Sequence, residues 1–320
     1  MLLIVTNVTD ATADFFEGKL KERRVPFFRF NTDQAITNSV HNLTIRMDDK
    51  DETLLIHRGV SLDMADVSSV WYRRPMFPEI PKEITSPQAQ RYIEEETHYY
   101  LKCLWRMLGD RNWVSPPWAI SWAQTKLAQL KIAKELGMTI PSTLVTTDPD
   151  EVVSFYKRHK RNIVVKPFKE SFFDYGDGKT STIFTSKVTK KDLEKIDQVR
   201  YAPTFFQENI KKVYELRVTV FGEEVFAART DSQNDPKKKI DWRHVSQNPL
   251  IWEETSISNT IRDQSVAMVK RFGLKFGALD FAVTPKGEHI FFEINPNGQW
   301  AWLEIQLGVP MSDSLIKLLV

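Results

Sequence analysis

The sequence predicts a multi-domain α/β chain that gains α+β character after its first third. Strand-length apolar runs alternate with amphipathic helical stretches early on, strands dominate after residue 200, and Pro- and Gly-bearing breaks separate the blocks.

Residues 2–6 read as a buried strand, 11–24 as an amphipathic helix and 27–31 as a second strand, which opens an α/β layer. NLTIRM (42–47) and TLLIH (53–57) continue the alternation, and SSVWYRR ends at Arg73 and Arg74 before the proline-broken stretch 75–87. A helix over 88–108 is expected to cover the sheet, closing a first domain, 1–115. The break Ser115-Pro116-Pro117 opens a second domain, 116–200, with helical periodicity in SWAQTKLAQLKIAKELG and Gly137 as its stop. Strand STLVTT, helix DEVVSFYKRH, strand NIVVKPF, the glycine-bearing turn FFDYGDGKT, strand STIFTS and the charged helix TKKDLEKI complete it. The third domain, 201–320, holds PTFFQENI, the hairpin YELRVTVFGEEVFAA and an amphipathic helix from about Thr255 to Phe272 stopped by Gly273. It continues with a second hairpin, FGALDFAVT and HIFFEIN, about the turn PKGE.

Composition narrows the function classes. With 320 residues, 42% hydrophobic and 27% charged, the chain has room for several packed cores and is not of the disordered type. A net charge of +2 makes no general case for a nucleic-acid partner, so any anion site must be local. The start MLLIVTNVTD lacks a basic n-region, and no apolar run approaches the about 20 residues that span a bilayer, so neither export nor a membrane partner is expected. The single Cys103 has no disulfide partner and no metal-ligand neighbours, which fits a reducing cytoplasm and a buried structural thiol.

The chemistry gathers in FFEINPNGQW, 291–300. Alternation puts Glu293 and Asn295 on one strand face and Phe292 with Ile294 on the other. If the hairpin pairs about PKGE, Asp280 joins Glu293 and Asn295, and two carboxylates with one amide oxygen are hard ligands suited to Mg²⁺. The plain alternative is a surface hairpin with a wet side. Lys126, in the first turns of its helix, and Lys166, ending an apolar strand, are isolated cations that suggest phosphate neutralisation, although each alone would pass for surface decoration. The glycines of FFDYGDGKT allow backbone N–H groups to approach phosphate, a signal shared with any hairpin turn.

Taken in order, Lys126 opening a helix, Lys166 on VVKP, the QENI hinge, YELRV, LDFAV and FFEINPNG resemble the ATP-grasp ligases. Within them, VWYRR, DWR and the ending NPNGQWAWLE are similar to the microviridin-type macrocyclases, which mature graspetides, and the likeness covers essentially the whole chain. The resemblance implies an N-terminal α/β domain, a central α+β domain and a C-terminal sheet domain, with ATP gripped between the last two. It implies Mg²⁺ on Asp280, Glu293 and Asn295, phosphates on Lys126 and Lys166, and adenine on Gln207, Glu208 and Ile210. Glu215 would take the ribose, and Arg217 the γ-phosphate or the acyl phosphate made from it. Arg243, Arg73 and Arg74 are candidates for peptide carboxylates or that acyl phosphate, each with a structural ion pair as the alternative. A leader segment of the precursor peptide would dock on helix 189–197 through Asp192, Glu194 and Asp197, unless that face is merely solvated. A homodimer is a possible assembly.

The implied reaction is ATP-dependent closure of a ribosomally made peptide: a core Asp or Glu is activated as an acyl phosphate, then attacked by a Thr or Ser hydroxyl or a Lys amine. An ATP-grasp ligase that adds amino acids to a protein tail or small metabolite would share every nucleotide residue. A peptide-binding module without catalysis would not need the intact metal and phosphate set. Arg229 and the basic stretch 236–239 depart from the family pattern, suggesting an acidic or differently held acceptor.

Overall fold

A computed structural model describes residues 1–35, 41–47, 52–57, 60–168, 172–174, 180–244 and 249–320. The chain opens with β1 (Leu2–Thr6), α1 (Ala11–Glu22), β2 (Phe27–Asn31), β3 (His41–Arg46), β4 (Glu52–His57), β5 (Val60–Asp63), β6 (Ser69–Tyr72), α2 (Pro87–Met107) and β7 (Asn112–Val114). Strands β2-β1-β6-β7 form a parallel sheet in that order, and β3-β4-β5 form a separate antiparallel one. Asp10 caps α1 by accepting from the Thr12 and Ala13 N–H groups, which starts the helix directly after β1. Helix α2 buries Leu101, Leu104 and Trp105, and this phase turns Cys103 outward: the thiol is exposed, against the expectation of a buried one.

Next come α3 (Pro117–Ala123), α4 (Lys126–Glu135), β8 (Thr143–Thr146), α5 (Pro149–Arg158), β9 (Ile163–Lys166), β10 (Phe172–Asp174), β11 (Thr180–Thr182), β12 (Ser186–Lys187), α6 (Lys190–Leu193) and β13 (Thr204–Glu208). Strands β12-β9-β13-β8 make an antiparallel sheet backed by Val152, Phe155 and Tyr156 of α5. The centre of the FFDYGDGKT turn lies outside the described residues. The expected helix over 189–197 is shorter: α6 makes one turn, with Thr189 and Asp192 forming a capping box, and a 3₁₀ segment takes over at Ile196–Tyr201.

The remainder is β14 (Tyr214–Phe221), β15 (Glu224–Thr230), β16 (Glu253–Glu254), α7 (Asn259–Arg271), β17 (Phe276–Val283), β18 (His289–Asn295), α8 (Ala301–Leu307) and α9 (Met311–Leu319). Helix α7 starts at a Ser258 cap, later than expected, because 253–254 pair with β15 instead. Strands β16-β15-β14-β17-β18 form one antiparallel sheet. Its two faces bury different partners. Leu216, Val218, Leu279, Phe281 and Ile294 pack against α3, α4 and α7, so α3 and α4, into which the expected helix of the second block divides, lie on the third block's sheet. Phe221, Phe276 and Ala278 pack with Trp300, Leu303 and Leu315 against Leu2, Ile4, Phe16 and Trp71 of the N-terminal layer. Period-2 alternation explains the split, since residues two apart share a face. The same rule puts Glu215, Arg217 and Asp280 on the second face.

Candidate active site

Strand register builds the site. Arg217 lies opposite Asp280, and Asp280 opposite Glu293, so three charged residues form one row across β14, β17 and β18. Ala278 opposite Asn295 is the next row on that face. The register shifts between Asp280 and Phe281: Phe281 pairs with Phe291, leaving Phe292 as an extra residue. This bulge corrects the expected core face. Phe291, fully buried, and Ile294 face the core, while Phe292 turns to the site, where Lys166 Nζ stands 4.6 Å and Lys212 Nζ 5.6 Å from its ring centre.

Arg217 Nη1 donates to both oxygens of Asp280, at 2.8 and 2.9 Å, and Nη2 donates more weakly to the Gln299 carbonyl at 3.5 Å. Gly298 makes room for it, because a Cβ there would lie 2.6 Å from Arg217 Nη2 and 2.7 Å from Ala278 Cβ. Glu293 receives Lys126 Nζ at 3.2 Å and has Arg243 Nη1 at 3.5 Å. Burial opposes its ionisation, but Lys126, Arg243 and Lys166 prevail and hold its carboxyl at about 2. Burial pushes Asp280 above the ordinary carboxylate range, with Arg217 opposing. It also pushes the Lys166 ammonium down to about 8, opposed by Glu293 and assisted by Lys126. Asn295 Oδ1 accepts from the Asn297 N–H at 3.0 Å. Among the described residues no three His, Cys, Asp or Glu side chains gather as metal ligands, so the candidate oxygen set on this face is the neighbouring pair Asp280 and Glu293 with the Asn295 amide.

A cavity of about 310 Å³ lies between the central and the large sheet. Lys126, Lys166, Gln207, Glu208, Ile210, Glu215, Asp280, Glu293 and Arg243 all line it, which gathers most of the sequence-derived residues in one place. Gln207 Nε2 donates to Thr143 Oγ1 at 3.0 Å, while its buried Oε1 has no partner among the described residues. No described residue hydrogen-bonds the main-chain N–H or C=O of Ile210, which leaves a donor and an acceptor at the hinge. Glu208 accepts from the Ser142 N–H at 2.8 Å. Glu215 is buried against Lys212 at 2.5 Å and Ser232 at 3.1 Å, and burial raises its pKa.

A second cavity, about 490 Å³, shares Asp280, Glu293, Trp242 and Arg243 with the first and adds Arg74, Arg217, Lys238, Asn295 and Gln299. Asp241 orients Arg243 by accepting from its N–H at 3.1 Å, Nε at 2.9 Å and Nη2 at 2.8 Å. Burial works against the Asp241 carboxylate, yet Arg243 holds its pKa at about 2; the same contact lifts Arg243 above the ordinary guanidinium range despite its own burial.

Some expected residues lie elsewhere. Arg73 lines neither cavity: it is buried, donates to the Asn297 carbonyl, and has Asp10 3.6 Å from its Nε, so it ties the first layer to the loop after β18. Burial lowers its pKa to about 10. This is the geometry of the ion-pair alternative given for Arg73. Asp192 spends its carboxylate on the Thr189 cap, and Asp197 sits on the surface near Arg200 at 3.6 Å. Glu194 follows α6 as its C-cap, also on the outside. Arg229 lines neither cavity and pairs with Glu253 at 3.1 Å.

Sequence reasoning missed Gln129 and Lys212. Gln129 is buried, donates to the Ala123 and Ile294 carbonyls at 2.6 and 2.9 Å, and accepts from the Ile294 N–H at 3.1 Å. It stands in for a missing neighbour strand and holds β18 between Glu293 and Asn295. The legible signal was its position three residues after Lys126, on the same helix face.

Residues 1–121 match the family described as the MvdD pre-ATP grasp domain. In structure the chain is similar to macrocyclase MdnB from Microcystis aeruginosa MRC, with 30% identity over 100% of this chain and 98% of that one and a TM-score of 0.82. It is similar to macrocyclase MdnC of the same organism, bound with precursor peptide MdnA, at 28% identity, 100% and 99% coverage and a TM-score of 0.88. A Chryseobacterium gregarium RiPP-associated ATP-grasp ligase, in complex with ADP and a leader and core peptide, shares 29% identity over 99% and 96% of the two chains, with a TM-score of 0.89. The comparison with curated protein sequences gives no match.

Proposed function

The chain belongs to the microviridin-type ATP-grasp macrocyclases, and from that premise we propose that it closes rings in a ribosomally made precursor peptide at the expense of ATP. The observation that carries the reading is the shared wall: Asp280, Glu293 and Arg243 border both the hinge-lined cavity and the second, more open one. A nucleotide in the first and a peptide carboxylate in the second would meet there.

The residues fit each substrate. Ile210 offers adenine a donor and an acceptor, and Gln207 and Glu208 border the same end of the cavity. Glu215 stands where a ribose would be reached, and Lys126 and Lys166 supply charge for phosphates. Asp280, Glu293 and Asn295 are hard oxygen donors on one face, which suits Mg²⁺; when bound, the ion supplies charge neutralisation at the phosphates. Arg217 and Arg243 then face the charge that grows on the transferring phosphoryl group. In the first step a peptide Asp or Glu oxygen bonds to the γ-phosphorus and the bond to ADP breaks. In the second, a Thr or Ser hydroxyl or a Lys amine attacks the acyl carbon, phosphate leaves, and the nucleophile's proton passes to solvent. No side chain of the enzyme needs to become covalently attached, so positioning carries most of the rate.

We place the activity in the cytoplasm, with a homodimer as a possible assembly and a leader segment docking near Glu194. The boundaries 1–115, 116–200 and 201–320 are part of the same reading. No helix among the described residues is long and apolar enough to cross a membrane. The test is incubation with ATP, Mg²⁺ and the product of a small neighbouring reading frame rich in Thr and Asp or Glu. Loss of one water and formation of one ADP per bond is the expected result; a gain of amino-acid mass would instead identify a tail-adding ligase.

A further inference from the structure

Two of the three subfamily-like motifs, DWR and the ending NPNGQWAWLE, bring tryptophans to the second cavity. Trp242 lies in DWR and Trp302 in WLE, 60 residues apart, yet both line the second cavity and meet through Trp252. The ring centres of Trp242 and Trp252 are 5.2 Å apart at 76°, and those of Trp252 and Trp302 are 5.4 Å apart at 69°, edge-to-face contacts that fix all three. Trp242 and Trp302 close the triangle at 6.5 Å, and Leu250 extends the apolar surface. Trp252 is 4% exposed and forms the base, while Trp242 and Trp302 are half-buried and present their surfaces to the cavity.

We propose that this triangle is a specificity subsite that seats an apolar or aromatic side chain of the core peptide beside the carboxylate being activated. The inference rests on the macrocyclase reading and names what that reading leaves open: which acid of a peptide is chosen. Three features support it. The aromatic wall and the Asp280–Glu293 row border the same cavity, so one short stretch of chain reaches both. Arg74, Lys238 and Arg243 line the cavity too, and Lys238, although a lysine, is only 5% exposed. That excess of positive side chains attracts the acid and disfavours a cationic occupant of the aromatic wall, which tryptophans alone would welcome. An edge-on cluster with one face toward a cavity also gains most from an apolar guest, which it desolvates without leaving a polar group unpaired.

The test uses four probes with the full-length enzyme in saturating ADP and Mg²⁺: N-acetyl-Phe-Glu-amide, N-acetyl-Glu-Phe-amide, N-acetyl-Ala-Glu-amide and N-acetyl-Lys-Glu-amide. Ligand-observed NMR gives their dissociation constants on wild type, Trp302→Ala and Trp302→Phe. Trp302 is chosen because it is half-buried, whereas truncating Trp252 would open the core. Wild type is expected to prefer the better Phe probe over the Ala and Lys probes by about tenfold. Trp302→Ala is expected to reduce that ratio to about two, with Trp302→Phe restoring most of it and ADP affinity equal in all three proteins. An unchanged ratio in Trp302→Ala, a preference for the Lys probe, or no binding of any probe overturns the subsite. Failure of wild type to bind ADP would instead count against the nucleotide reading.

Discussion

The two cavities share a wall but are assembled differently. The first draws carboxylates from strand positions and a cation from helix α4, and register alone brings Glu215, Asp280 and Glu293 onto one sheet face. The second takes its aromatic side from a loop, a segment beside β16 and helix α8, which only tertiary packing unites. On the proposed reading, chemistry common to a whole reaction class would sit on rigid strands and substrate choice on the parts around them.

The largest effect is expected where the cavities meet. Glu293→Gln and Asp280→Asn each remove one carboxylate from the shared row and should lower ring formation by about a thousandfold or more. Both proteins should retain the far-ultraviolet circular dichroism of the wild type. Turnover within tenfold of wild type in both would remove the metal role from this row.

A smaller effect is expected one step back from the chemistry. Gly298→Ala puts a methyl group 2.6 Å from Arg217 Nη2 and 2.7 Å from Ala278 Cβ, so the guanidinium must shift, which disturbs the Nη1 contacts to Asp280. Displacing a positioning group by about 1 Å lowers rate by about a hundredfold. Measured kcat should fall by that order while the dissociation constant for ADP changes less than threefold, because Gly298 borders neither Ile210 nor Lys166. Equal losses in both would mean that the loop supports the nucleotide cavity as well.

These contrasts also explain what could be read in advance. Alternation and the PKGE turn were enough to pair Asp280 with Glu293, since a hairpin register follows from its turn. The bulge was not legible: one extra residue reverses side-chain parity, so Phe291, not Phe292, joins Ile294 in the core. Arg73 and Arg74 are neighbours in sequence but point to opposite sides, which sends Arg73 inward to Asn297 and leaves Arg74 on the second cavity. Trp252 had no local pattern at all, because its meaning comes from two rings distant in sequence.

The first cavity should respond to pH through Lys166, which does not line the second. Burial holds the Lys166 ammonium at about 8, and a bound phosphate would favour its charged form. Binding then takes up a proton whenever the free enzyme's lysine is neutral. Affinity for ADP should therefore be level below pH 8 and weaken by up to about tenfold per pH unit above it, until the complex also titrates. Lys166→Arg stays charged throughout and should flatten the profile. Titration calorimetry between pH 7 and about 9.5 measures both, and a flat wild-type curve would remove Lys166 from the phosphate contacts.

The smallest effect sharpens the border of the second cavity. Sequence groups Arg229 with the basic stretch 236–239 as one departure from the family, and charge alone suggests a shared task on an acidic peptide. Packing separates them. Arg229 is about half exposed, pairs with Glu253 across β15 and β16, and leans over Tyr214 at 5.9 Å, whereas Lys238 is buried in the cavity wall. An exposed cross-strand pair contributes about 0.5 kcal/mol or less, and solvent screens Arg229 from any charge in the cavity. Arg229→Ala should leave kcat/KM for the peptide within twofold of wild type, at both low and moderate salt. A salt-dependent loss of tenfold would place the incoming peptide along β15, outside the cavity, and would move the acid-attracting surface from the walls around Trp242 to the sheet edge.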